Sequence, residues 1–176
     1  MLNITSAHLR SEDKDMIRKY ARFVLDRLVR KGIQNKSRVT IKVLNKEEMK
    51  TAADLLDLKT YKAWCTYDGS DDFGNKKFTI VLNAHTVNRK AKKSQIRLKN
   101  LLIDLGHELV HVKQYLLNEM FDYTNGDVRH KGIVFSSEYQ ENEELYYDSP
   151  WEIEAYGREL GLYKIFCHKL KEDVKK

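Results

Sequence analysis

The chain has 176 residues, 41% of them hydrophobic and 10% aromatic, enough apolar material to bury a sizeable core and ordinary for a globular protein. Its only cysteines, Cys65 and Cys167, lie far apart, and one proline with eight glycines leaves little for linkers; this argues against a disulfide scaffold and fits a reducing compartment. No apolar run approaches the roughly 18 residues of a membrane span, and Met1–Thr5 leads into charged residues without a signal-like core, so no membrane contact and a cytoplasmic location are expected.

Taken in order, Ser11 is the expected cap of a helix reaching about Arg30, with Ile17, Tyr20, Ala21, Val24, Leu25 and Leu28 on one stripe. Val39–Leu44 alternates with β-branched residues and predicts a strand, after which Asn45 opens a short helix over Lys46–Leu56. Tyr61–Tyr67 and Lys77–Asn83 predict two strands of a hairpin whose tip holds the turn formers of Asp68–Asn75. A long helix is expected from about Lys93 to Met120. Phe121–Asp148 is acidic and tyrosine-rich, irregular apart from a small hairpin, and Ser149-Pro150-Trp151-Glu152 starts a closing helix that runs past Gly161. The layout is α+β, a small sheet packed on helices, in a single domain spanning 1–176.

The net charge of +6 is unevenly distributed. Residues 1–113 carry 24 Lys and Arg against 13 Asp and Glu, whereas 114–176 carry 8 against 13. The densest basic run is Arg89, Lys90, Lys92, Lys93, Arg97 and Lys99. It reads either as a solvated helix face or as a surface for nucleic acid or an acidic partner.

Within the long helix, residues 107–111 read His-Glu-Leu-Val-His. Four-residue spacing puts His107 and His111 on one helix face, where both imidazoles can reach one zinc ion, with Glu108 beside them as a general base. Six histidines and thirteen glutamates would produce this pattern by accident about 0.015 times in a chain of this length. The apolar run Leu101, Leu102, Leu105, Leu109, Val112, Leu116 supplies the helix that the pattern requires. Gly106, directly before His107, points to close backbone packing.

A catalytic zinc takes three protein ligands and leaves a fourth position open. Downstream donors are His130, His168, Glu152 and Glu154; no third histidine follows His111 closely, which excludes the metzincin arrangement. The segment Pro150–Tyr156, with Glu152 and Ala155, resembles the second motif of the glutamate-liganded zincins. Together with His107–Gln114 it is similar to metallopeptidase-like proteins of phages and bacteria that carry H-E-x-x-H-x-x-Q and P-W-E-x-E-A. The resemblance covers roughly His107–Gly161. It implies a minimal zincin-like fold with a mainly antiparallel sheet, Zn²⁺ as cofactor, Glu152 as third ligand, a host-cytoplasmic location if the protein is phage-encoded, and a substrate cleft bordered by the strand Phe78–Asn83.

Two alternatives compete with Glu152. Ser149-x-x-Glu152 also spells a capping box, which would pass the ligand role to Glu154, about 200° around the helix. Arg129-His130-Lys131-Gly132 resembles, with its glycine displaced by one position, the SprT-type proteases, whose third ligand is a histidine. Tyr146, Tyr147, Tyr156 and Arg158 are candidate oxyanion donors, Gln114 and Asp104 are candidate partners of the histidines, and Cys65 is expected to be a buried thiol. The expected function is hydrolysis of a protein or peptide substrate by a zinc-activated water with Glu108 as base. The alternatives are a catalytically silent zinc-binding accessory or assembly protein of a phage, and a SprT-like protease acting on DNA-bound proteins.

Overall fold

A computed structural model describes residues 1–6, 9–55, 63–84 and 94–173. The chain opens with a short strand, β1 (Leu2–Thr5), followed by helices α1 (Ser11–Leu28) and α2 (Lys31–Gln34) and strand β2 (Ser37–Leu44). Helix α3 (Lys46–Leu55) leads to the hairpin β3 (Ala63–Ser70) and β4 (Lys76–Asn83). Then come α4 (Ser94–Leu116), the short strands β5 (Met120–Asp122), β6 (Val128–His130) and β7 (Ile133–Phe135), the short helices α5 (Glu138–Glu141) and α6 (Glu143–Asp148), and α7 (Pro150–Asp173). Much of the basic run, Arg89–Lys93, lies outside the described residues, as does the expected start of the Tyr61–Tyr67 strand.

Local chemistry explains most boundaries. In α1 the residues Ile17, Tyr20, Ala21, Val24 and Leu25 are buried, as their helical spacing requires, and Glu12 and Asp13 meet the positive end of the helix dipole. Arg10, not Ser11, occupies the cap position, and no side chain caps the helix. At α3 the expected cap forms: the Asn45 side chain accepts from the N–H groups of Glu47 and Glu48, while the Glu48 carboxylate accepts from the Asn45 N–H at 2.8 Å. In β2, Ser37, Val39, Ile41 and Val43 are buried in strict alternation, giving one core face.

The four-stranded sheet has the order β1-β2-β4-β3. It is mixed, not mainly antiparallel: β1 and β4 both run parallel to β2, and only the β3–β4 hairpin is antiparallel. The reason is connectivity, since α1 and α2 carry the chain from β1 back to the start of β2, a crossover that returns a parallel strand. β1 itself escapes sequence reading because its four residues offer only Leu2 and Ile4 as pattern.

β4 is paired on both sides, to β2 and to β3. Phe78–Asn83 is thus an interior strand, and among the described residues the edge strand on that side of the sheet is β3. The placement accounts for the burial of consecutive residues Ile80, Val81 and Leu82, as in a strand covered on both faces.

Helix α4 packs against α7, α1, β3 and β4, and every residue from Leu105 to Leu116 is buried. The second sheet is antiparallel, in the order β5-β6-β7. Lys131 and Gly132 link β6 to β7 with positive φ at both positions (48° and 90°), the two-residue turn whose twist suits a hairpin. Trp151 at the start of α7 anchors this sheet, meeting the rings of His130 and Phe135 edge-on.

Candidate metal centre

Burial of α4 on all sides places polar side chains where water cannot serve them, so each needs a partner from the protein. His107, Glu108, His111, Lys113 and Gln114 are all buried on this one helix. The partners come from α7, which crosses α4 and presents Glu152, Glu154 and Glu159 along its length.

His107, His111 and Glu152 form a buried group that could hold a metal ion. The two Nε2 atoms are 3.2 Å apart. The Glu152 carboxylate bridges them, with Oε2 at 3.1 Å from His107 Nε2 and Oε1 at 3.3 Å from His111 Nε2. Ligands on a tetrahedral ion with bonds of about 2.0–2.1 Å are separated by roughly 3.3 Å. Two imidazole nitrogens and one carboxylate at that spacing could hold one divalent metal ion.

The outer nitrogens are also held. His107 Nδ1 lies 3.0 Å from Glu159 Oε2, and His111 Nδ1 lies 2.9 Å from Gln114 Oε1. Gln114, fully buried, then donates from Nε2 to the Trp151 carbonyl at 3.0 Å, joining the first ligand helix to the start of the second. Tyr146 on α6 hydrogen-bonds Glu152 and is held neutral by burial and by that carboxylate. The Tyr156 ring stands edge-on to His107 with centroids 4.5 Å apart.

The electrostatics follow from this geometry. Burial disfavours the charge on Glu152, but hydrogen bonds from His107 and His111 prevail and hold its carboxylate at about 2. Burial likewise opposes protonation of His111, yet Glu152, Glu108 and Gln114 lift it to about 9; His107 is also raised, by Glu152 and Glu108 against burial. Glu108 shows the opposite balance. Burial pushes its carboxyl up to about 7, aided by Glu152 and Asp104 and opposed by the two histidines.

The competing readings of the third position separate here. Ser149 makes no cap: its buried hydroxyl has no hydrogen-bond partner, and the Glu152 carboxylate is turned to the histidines. Glu154 faces the other way, toward Lys113 at 2.8 Å and Arg158 at 3.0 Å. His130 does not join His107 and His111 among the described residues; it sits with Glu119 and Glu154. The glycine of its motif, Gly132, serves the β6–β7 turn. His168 is exposed on α7. Arg158 is engaged with Glu154, and Tyr147 meets Tyr156 at the surface. Cys65 is a free thiol that burial pushes well above its ordinary range.

Sequence reasoning missed Glu159. The signal was present: Glu152 and Glu159 are seven residues apart, two helical turns, so both lie on the face of α7 that meets His107. It also missed Lys113, because a lysine two residues beyond the metal motif reads as solvent-facing until the burial of α4 is known.

Among the described residues no helix is long and apolar enough to cross a membrane. The chain matches no protein-family model and none of the curated proteins, so the site stands on its own geometry.

Proposed function

We propose that the protein is a zinc-dependent metallopeptidase of the glutamate-liganded kind, with a zincin-like arrangement of α4 and α7. The observation that carries this reading is the buried His107–His111–Glu152 group, whose two Nε2 atoms lie 3.2 Å apart and 3.1 and 3.3 Å from the two oxygens of the Glu152 carboxylate, with Glu108 on the helix of the histidines. When bound, zinc supplies a water acidified toward neutrality and polarises a carbonyl oxygen.

The chain's own residues supply the rest. Glu108, its affinity for a proton set near neutrality by burial, takes a proton from the attacking water and returns it to the departing amine. Glu159 and Gln114 fix the ring orientations of His107 and His111 from behind. Tyr146, whose hydroxyl reaches Glu152, is a candidate donor to the charge that develops on a carbonyl oxygen. β3, the edge strand of the sheet among the described residues and a neighbour of α4, is the main-chain template for an extended peptide.

The test is Glu108→Gln in a zinc-loaded protein, assayed on a quenched-fluorescence peptide library. Zinc content stays at the wild-type value while turnover falls by about 10²–10⁴. Undiminished turnover removes the mechanism. A wild type that binds zinc at this centre and cleaves nothing supports the accessory-protein reading instead.

A further inference from the structure

A second cluster of ligand-type side chains lies on the other side of α7. Glu119 from the turn before β5, His130 at the end of β6 and Glu154 on α7 bring two carboxylate oxygens and a ring nitrogen within 4.8 Å of one another. The Lys113 ammonium sits among them, 2.5 Å from Glu119 Oε2 and 2.8 Å from Glu154 Oε1. Gln114, Lys131 and Arg158 also reach Glu154, the last two from exposed positions.

His130 distinguishes this cluster from an ordinary ion network. The residue is 3% exposed, and its Nε2 is buried with no hydrogen-bond partner. A buried polar atom without a partner costs about 1–3 kcal/mol. The ammonium pairs with both carboxylates, while the His130 ring keeps one nitrogen without a partner. An ion held by the carboxylates and the imidazole would engage the third group as well, and two oxygens with one nitrogen suit zinc or a neighbouring first-row divalent metal.

We propose that Glu119, His130 and Glu154 form a second divalent-metal site whose cation position is held by the Lys113 ammonium until a metal displaces it. The site is independent of the peptidase reading. It joins the turn before β5 and the end of β6 to α7, so a metal there staples the three-stranded sheet to the helix that carries Glu152. Lys113 is long and flexible enough to withdraw, and its departure exchanges one charge for two between the carboxylates.

The experiment is calorimetric titration of the metal-stripped full chain with Zn²⁺, in a His107→Asn/His111→Asn background that silences the first centre. One zinc equivalent remains. Adding Lys113→Met tightens it by roughly tenfold or more, because a competing unit charge leaves the ion's position. Adding His130→Ala abolishes it. No zinc binding by the folded Lys113→Met background variant overturns the proposal, as does binding that His130→Ala leaves unchanged. If the background variant does not fold, Lys113→Met alone decides: two zinc equivalents, falling to one with His130→Ala, support the site, and one equivalent in Lys113→Met overturns it. Failure at the first centre reads differently, as loss of Glu152-dependent zinc or of Glu108-dependent cleavage.

Discussion

Glu159 Oε2 stands 3.0 Å from His107 Nδ1, on the opposite side of the imidazole from Glu152. The ring is thus gripped at both nitrogens by carboxylates from one helix, two turns apart. In the metal-free chain Nε2 donates to Glu152; with Nδ1 kept as the donor to Glu159, loss of the Nε2 proton would leave the lone pair that a metal ligand needs.

Glu159→Gln should therefore weaken zinc binding by about 10–100-fold while leaving the fold intact. A competition titration against a chromophoric chelator measures it. An unchanged affinity would show that the contact orients nothing.

Gln114 offers a second test of the same kind. It is fully buried and links His111 Nδ1 to the Trp151 carbonyl. Gln114→Leu leaves the buried His111 Nδ1 without its partner and removes a second bond to the Trp151 carbonyl, at a cost of about 1–3 kcal/mol for the group left unsatisfied. The expected result is a lower midpoint in thermal unfolding of the metal-free chain together with weaker zinc binding. Loss of zinc affinity without loss of stability would assign Gln114 to the histidine alone.

The pH dependence has a definite sign. Burial opposes the charge on His111, but its carboxylate neighbours raise it from 6.5 to about 9 in the folded chain, so its protonation stabilises fully below pH 6.5 and is lost as pH rises through about 9. Burial raises Glu108 from 4.5 to about 7, and ionising it costs the fold stability over that interval. In the metal-free protein both groups make stability fall as pH climbs from about 4.5 to 9. Zinc requires the imidazoles deprotonated, so its binding releases protons and its stabilisation grows over the same range. Thermal unfolding with chelator and with zinc, at several pH values, should give curves of opposite slope; parallel curves would contradict the shared site.

Gly106 makes a packing prediction. A Cβ at this position would meet the Tyr20 hydroxyl at 2.5 Å and the Glu159 carbonyl at 3.6 Å, so α1 and α7 both press on α4 one residue before His107. Gly106→Ala should destabilise by about 1–3 kcal/mol through overpacking. The Tyr20 hydroxyl is buried without a partner, so Tyr20→Phe removes an unsatisfied group and opens the space. The double variant should recover most of the loss; a purely additive cycle would refute the contact.

The legible part of the molecule was the part whose chemistry is local in sequence. His107, Glu108 and His111 share one turn of helix, and the Asn45–Glu48 cap closes within four residues, so spacing alone exposes both. The Ser149–Glu152 box has the same spelling and does not form, because the Glu152 carboxylate gains more from two imidazoles 45 and 41 residues upstream in the chain. The burial of Lys113 depended on which faces of α4 and α7 meet, information that periodicity does not carry, and Glu159, though two turns from Glu152, gains its partner only from that packing. The mixed sheet was missed for a related reason: strand direction is set by the crossover from β1 through α1, and β1 is too short to announce itself.

His111 and Glu152 lie on separate helices, and the chain between them includes β5, β6, β7, α5 and α6. An ion that joins them closes a loop of roughly 40 residues, which in the chain-entropy picture of a cross-link removes about 4 kcal/mol of freedom from the unfolded ensemble. A metal held there acts as a clip on the fold. A protease added with chelator should nick the chain first between Leu117 and Ser149, and the same sites should be protected when zinc returns.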